Sequence, residues 1–117
     1  MGTIKIKRIY DEASEDDGYR VLVDRLWPRG VSKTDAKIDA WNKDLAPSTE
    51  LRKWFDHKAE RFDEFSTRYR GELLLKEDEL EKLRDMARLE TITLLYGAKD
   101  PNLNQAIVLQ KLLLKGL

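Results

Sequence analysis

The chain has no cysteine. That excludes disulfides, thiolate nucleophiles and thiolate metal sites. His57 is its one histidine, so a multi-histidine zinc site is excluded as well. Mostly carboxylates remain as ligands, and these favour magnesium or calcium held weakly. No cofactor and no metal site are expected. The chain also lacks an excess of either charge: Lys+Arg and Asp+Glu number 22 each, a formal net charge of zero. A zero balance counts against binding nucleic acid through bulk charge, while leaving room for a local basic patch. No run approaches the roughly 18 apolar residues of a membrane span. The N-terminal MGTIKIKRIY alternates apolar and charged residues, unlike a signal peptide. A cytoplasmic protein without membrane partners is expected. No internal repeat or low-complexity tract interrupts the sequence.

What is present is a soluble, globular composition: 117 residues, 41% hydrophobic and 38% charged. That length fits one domain over residues 1–117. Thr3–Tyr10 alternates Ile4 and Ile6 with Lys5 and Lys7, which argues an edge strand or a strand with one wet face. Asp11–Gly18 reads as an acidic surface loop. Arg20–Leu26 is a second, more apolar strand, ended by Pro28 and Gly30. Ser32 can cap one helical turn up to Ala36, and Ile38–Leu45 reads as a short strand. Ser48 is a good cap for a helix carrying Leu51, Trp54 and Phe55 at i, i+3 and i+4. Asp56 or His57 breaks it. Phe62, Phe65, Tyr69 and Leu73 then mark a second helix, and Leu80, Leu83 and Ala87 a third. Thr91–Tyr96 is the clearest strand, apolar on both faces. Asp100 with Pro101 is expected to start the last helix, with Ala106, Leu109, Leu113 and Leu117 on one face. Together these predict an α/β domain with a small, mainly parallel sheet of about four strands flanked by helices, a Rossmann-like three-layer arrangement. Val21–Asp24 and Ile92–Leu95 are its expected interior strands.

The chain is organised around VLVDRLWPRGVSK, residues 21–33. A buried run ends in Asp24-Arg25 and then a Trp-Pro-Arg-Gly turn. In parallel α/β folds such strand ends face the ligand site. The other strand ends supply Arg8 and Tyr10, Lys43 and Asp44, and Tyr96 to Lys99. Helix starts at Ser48 and Asp100 add free N–H groups near that edge, and such groups favour anions. Arg25, Arg29 and Lys99 are expected to converge on one cleft, with Asp24 and Asp44 beside it. Arg29, fixed between Pro28 and Gly30, is expected to matter more than Lys33.

Each residue also has a structural reading. Asp24-Arg25 reads equally well as an internal ion pair. Trp27, Trp41 and Trp54 read as packing groups. Asp24 and Asp44 form a weak carboxylate pair for acid/base work. Ser48 reads as a cap without an assigned base, and His57 as a helix-terminus residue. The charged residues of 76–88 read as a solvated helix face.

VLVDRLWPRGVSK, WNKDLAPSTELRKWF, FDEFSTRYRGEL and TITLLYGAKDPNLNQAIVL, in that order, resemble the YeaO-like family, small bacterial and archaeal proteins known as a domain of unknown function. The resemblance spans nearly the whole chain. It implies a compact α/β domain and a polar cluster drawn from Asp24, Arg25, Trp27, Arg29, Lys33, Trp41, Lys43, Pro47, Ser48, Arg52, Tyr69 and Glu72. Within that set Asp24, Asp44 and Tyr69 are the catalytic candidates, Asp44 coming from the strand-end argument. Arg25, Trp27, Arg29, Lys33, Lys43, Ser48, Arg52 and Lys99 are the ligand-binding candidates. Family members often carry a histidine where Leu103 stands here. A larger related group bears a cysteine at the turn that here holds Tyr96-Gly97. If the ancestor was a thiol enzyme, this branch has lost that chemistry.

Three functions compete. The first is a cleft for a small anionic ligand, a nucleotide or phosphorylated metabolite, with or without catalysis. The second is a nucleic-acid-binding module using Arg25, Arg29 and Lys33, against which zero net charge counts. The third is a protein-interaction surface built on the aromatic residues 54–65. A concave pocket, a convex basic stripe and a flat apolar patch would separate them.

Overall fold

Four short runs pair into one all-parallel sheet of order β1-β4-β2-β3. The computed structural model describes residues 3–117; Met1 and Gly2, the start of the alternating N-terminal stretch, lie outside them. The strands are β1 (Ile4–Arg8), β2 (Tyr19–Leu22), β3 (Ala40–Trp41) and β4 (Ile92–Tyr96). β2 and β4 are interior and β1 is an edge, as their apolar patterns predict. β2 is shorter than the sequence suggests. Its last ladder bond runs from the Val23 amide to the Leu95 carbonyl, after which the chain turns into the Trp-Pro-Arg-Gly segment. The expected strand 38–45 shrinks to two residues. Asn42 leaves β3 and caps a 3-10 turn over Lys43–Leu45.

The helices are α1 (Lys33–Ala36), α2 (Thr49–Phe55), α3 (Phe62–Leu74), α4 (Glu77–Leu89) and α5 (Gln105–Lys115). Ser32 and Ser48 cap α1 and α2 as their residue types favour, accepting from the amides of Asp35 and Leu51. α5 starts later than expected. Asp100 Oδ1 accepts from the amides of Asn102 and Leu103, closing a turn, and Asn104 caps the helix through the Ile107 amide. Both residues carry a cap signal, and the turn claims the first.

The layers are unequal. On one face Val21, Val23, Ile92, Leu94 and Tyr96 pack against α2, α3, α4 and α5 in the main core. On the other, Leu22 and Leu95 meet only α1 and the loops, through Ala36, Trp27, Val31 and Trp41. Period-two alternation along β2 and β4 sends successive apolar side chains to opposite faces. The aromatic run expected as a patch is interior: Phe55 stacks on Phe65 at 4.3 Å, and Phe65 on Tyr69 at 5.6 Å. Trp54 is half-buried beneath Arg61 and Arg68. None of Trp54, Phe55 and Phe62 is exposed. No helix among the described residues is long and apolar enough to cross a membrane.

Two buried arginines tie the periphery down. Arg20, 4% exposed, donates to Asp17 Oδ2 at 2.5 Å and to the carbonyls of Ala36 and Lys37. The acidic loop 11–18 is thus partly inside: Asp17 is buried, and Lys7 bridges to it as well. Burial pushes the Asp17 carboxyl up, but hydrogen bonds from Ser14, Lys7 and Arg20 outweigh it and hold the group below its usual range. Arg84, 6% exposed, donates to the Leu112 and Leu113 carbonyls at the end of α5. A cation there answers free carbonyls and the negative helix end. Gly116 leaves room for it, since a Cβ would collide with the guanidinium.

Candidate functional site

With every strand running the same way, the C-terminal ends share one edge. A cleft of about 630 Å³ opens over the ends of β1, β2 and β4, within the range of about 300–1,000 Å³ typical of small-molecule sites. Three chain segments that leave these strands build it, helped by α2 and the start of α5.

Asp24 forms the floor. Its Oδ2 accepts from the Gly97 amide at 2.8 Å, and its Oδ1 from Gln105 Nε2. A Cβ at position 97 would stand 2.9 Å from that Oδ2, so glycine is what lets carboxylate and amide meet. Burial pushes the Asp24 carboxyl up from 3.8 to about 6. The Gly97 and Gln105 hydrogen bonds and the Arg52 charge pull it down without cancelling that effect. Arg52, on α2, also lines the cleft. Among the described residues, its Nε is the one buried side-chain nitrogen or oxygen without a hydrogen-bond partner. Leaving such a donor unpaired costs on the order of 1–3 kcal/mol.

The arginines expected to act together divide by what they already hold. Arg25 donates to the Pro47 carbonyl at 2.8 Å and to those of Lys43 and Ala46 at 3.3 and 3.4 Å. It clasps the 43–47 turn. Arg29 has its carbonyl anchored by the Tyr10 hydroxyl at 2.9 Å, while its exposed guanidinium bonds to no described residue. Lys99 is likewise exposed and unengaged among the described residues. The tryptophans lock the turn that carries Arg29: Trp27 Nε1 donates to the Val31 carbonyl, Trp41 Nε1 to the Asp24 carbonyl, and the rings meet edge-on at 5.2 Å. Gly30, at φ 75°, makes the left-handed step that ends it.

Arg25, Arg29, Lys99, Asp24, Trp27 and Arg52 therefore line one cleft. The other candidates lie elsewhere. Asp44 is exposed in the 43–45 turn and does not line the cleft, where the second carboxylate is that of Asp100. Lys33 is exposed on α1, and Lys43 lies over the Trp41 ring at 4.1 Å. Ser48 gives its amide and hydroxyl to Glu72, at 2.8 and 2.6 Å. Tyr69 is fully buried and donates to the Leu45 carbonyl; burial raises its pKa, as do the nearby Glu72 and Asp24 charges. Ser48, Glu72 and Tyr69 position the 45–48 turn and do not line the cleft. Sequence reasoning missed Gln105 and Phe55 as cleft residues and placed His57 only at a helix end. His57 is the second of two successive left-handed residues, at φ 54° after Asp56 at 49°, and it reaches the cleft wall. No three described residues among His, Asp and Glu come together as a metal site.

A family model described as the inactive DUF488-N3 subclade matches residues 3–117. The chain belongs to the DUF488 family. It is 49% identical over 106 residues to the uncharacterized protein YeaO of Escherichia coli K12, covering 91% of this chain and 92% of that protein. It is 42% identical over 110 residues to the uncharacterized proteins Rv3073c of Mycobacterium tuberculosis and Mb3100c of Mycobacterium bovis, covering 94% of this chain and 92% of each. No solved structure matches it.

Proposed function

We propose that this DUF488 protein binds a small anionic ligand, a nucleotide or phosphorylated metabolite, in the cleft over Asp24 and Gly97, and does not transform it. The observation that carries this reading is the buried Arg52 Nε without an acceptor, in a cleft whose rim bears two unengaged cations, Arg29 and Lys99. An acceptor atom of the ligand on Arg52 would supply the missing partner while its phosphate or carboxylate meets Arg29 and Lys99, and charge-assisted bonds of this kind are the stronger ones. The absence of turnover is supported by the description of the subclade as inactive. It is also supported by the placement of two of the three catalytic candidates, Tyr69 and Asp44, away from the cleft.

The test is thermal unfolding of wild type and Arg29→Ala with phosphate, sulfate and nucleotides titrated into each. A ligand at about 100 times its dissociation constant stabilises the fold by about 2.7 kcal/mol. The expected result is a shift in wild type that shrinks in the variant. Equal shifts in both proteins would make Arg29 a bystander, and no shift in wild type would remove the proposal.

A further inference from the structure

We propose that the ligand is a nucleoside monophosphate, its base on the cleft floor and its phosphate on the rim between Arg29 and Lys99. This rests on the anion-binding reading above and narrows it to one chemical class. The cleft has two unlike ends. Its rim is exposed and carries two cations, Arg29 and Lys99, with Tyr10 and the Asp100 carboxylate also in the lining. Its inner wall is apolar, with buried Phe55 and Phe65 and half-buried Leu103. A sugar phosphate alone would set its hydroxyl groups against that wall and strand them without partners. A flat ring carrying an anion satisfies both ends: its face covers apolar surface while its phosphate meets the rim.

The inner end also offers a hydrogen-bonding edge. Arg52 Nε is a buried donor with no acceptor. Gln105 spends its Nε2 on Asp24, and its carbonyl oxygen accepts from no described residue. A donor and an acceptor from residues that line the same cleft can read the polar rim of a base, which presents both kinds of group. The His57 ring, held in the wall by its left-handed backbone 6.2 Å from Phe55, adds a second flat surface. Left-handed backbone at a non-glycine residue is uncommon and concentrates at ligand sites.

The experiment is isothermal titration of the full chain with AMP, GMP, CMP and UMP, the matching nucleosides, ribose 5-phosphate and inorganic phosphate. The same titrations are run on Arg29→Ala/Lys99→Ala, whose exposed substitutions leave the core untouched. At least one nucleoside monophosphate is expected to bind about tenfold or more tightly than both ribose 5-phosphate and its own nucleoside. The double variant is expected to bring it down to the level of the nucleoside. If ribose 5-phosphate or phosphate binds as tightly as every nucleotide, the base has no site and the proposal falls, while the anion reading stands. If a nucleoside binds as tightly as its monophosphate, the rim cations do not hold a phosphate and the proposal falls on its other half. If no phosphate-bearing molecule binds wild type, both readings fall together.

Discussion

Replacing Asp24 by asparagine tests whether the cleft floor holds a carboxyl in an unfavourable place. Burial raises the group from 3.8 to about 6 in the folded protein. The native state therefore grips this proton more tightly than the unfolded chain does. The stabilisation is complete below the unfolded value and is lost as pH rises through about 6. A rise of this size is worth about 3 kcal/mol. The amide of Asp24→Asn would be neutral throughout and would escape that loss. It would also keep one acceptor oxygen, as the protonated acid does, for the Gly97 or the Gln105 donor. The two proteins should then match in stability near pH 4, and the variant should gain on wild type to about pH 7, by about 2–3 kcal/mol. Urea unfolding at each half pH step measures the difference directly, and subtraction removes the titration of every other group. A difference that stays flat across this range would show that Asp24 ionises freely, and the buried-floor argument would be wrong.

Other outcomes follow from the same structure. Arg20→Leu leaves Asp17 buried without its main partner and should cost about 3–5 kcal/mol by denaturant unfolding. Because Asp17 is held below its usual range, its contribution is present at neutral pH and lost as pH falls through the folded value; Asp17→Asn should flatten the acid limb of the stability curve. Gly97→Ala puts a methyl 2.9 Å from the Asp24 carboxylate and should displace it, moving the Asp24 pH step and weakening phosphate binding in calorimetry. Tyr69→Phe removes the donor to the Leu45 carbonyl and should cost about 1–3 kcal/mol with the fold kept, as read by urea unfolding.

Much of the fold was legible because it rests on local pattern. Val21–Val23 and Thr91–Tyr96 are the runs without a polar face, and they became the interior strands. Ser32 and Ser48 announce their helices by residue type alone, and Phe65, Tyr69 and Leu73 declare a buried face by their spacing. What stayed hidden depends on partners far along the chain. Asp17 is interior because Arg20 and Thr93 meet it, and Thr93 lies 76 residues away. Asp24 and Gly97 are 73 residues apart, and nothing near either one announces the other. Arg25 and Arg52 look equivalent in the sequence. Three carbonyls of the 43–47 turn satisfy one and leave the other without an acceptor, a difference of backbone geometry rather than residue type. The cleft's location could thus be read from strand ends, whereas the division of its cations between scaffold and rim could not.

The side-chain Nε–H resonances of the arginines test the central claim most directly, followed by NMR during a nucleotide titration. Arg52 is expected to shift saturably as its Nε finds an acceptor. Arg25, already bonded to Pro47, is expected to stay in place. An Arg52 resonance that remains still while ligand saturates the protein would contradict a ligand seated on the cleft floor.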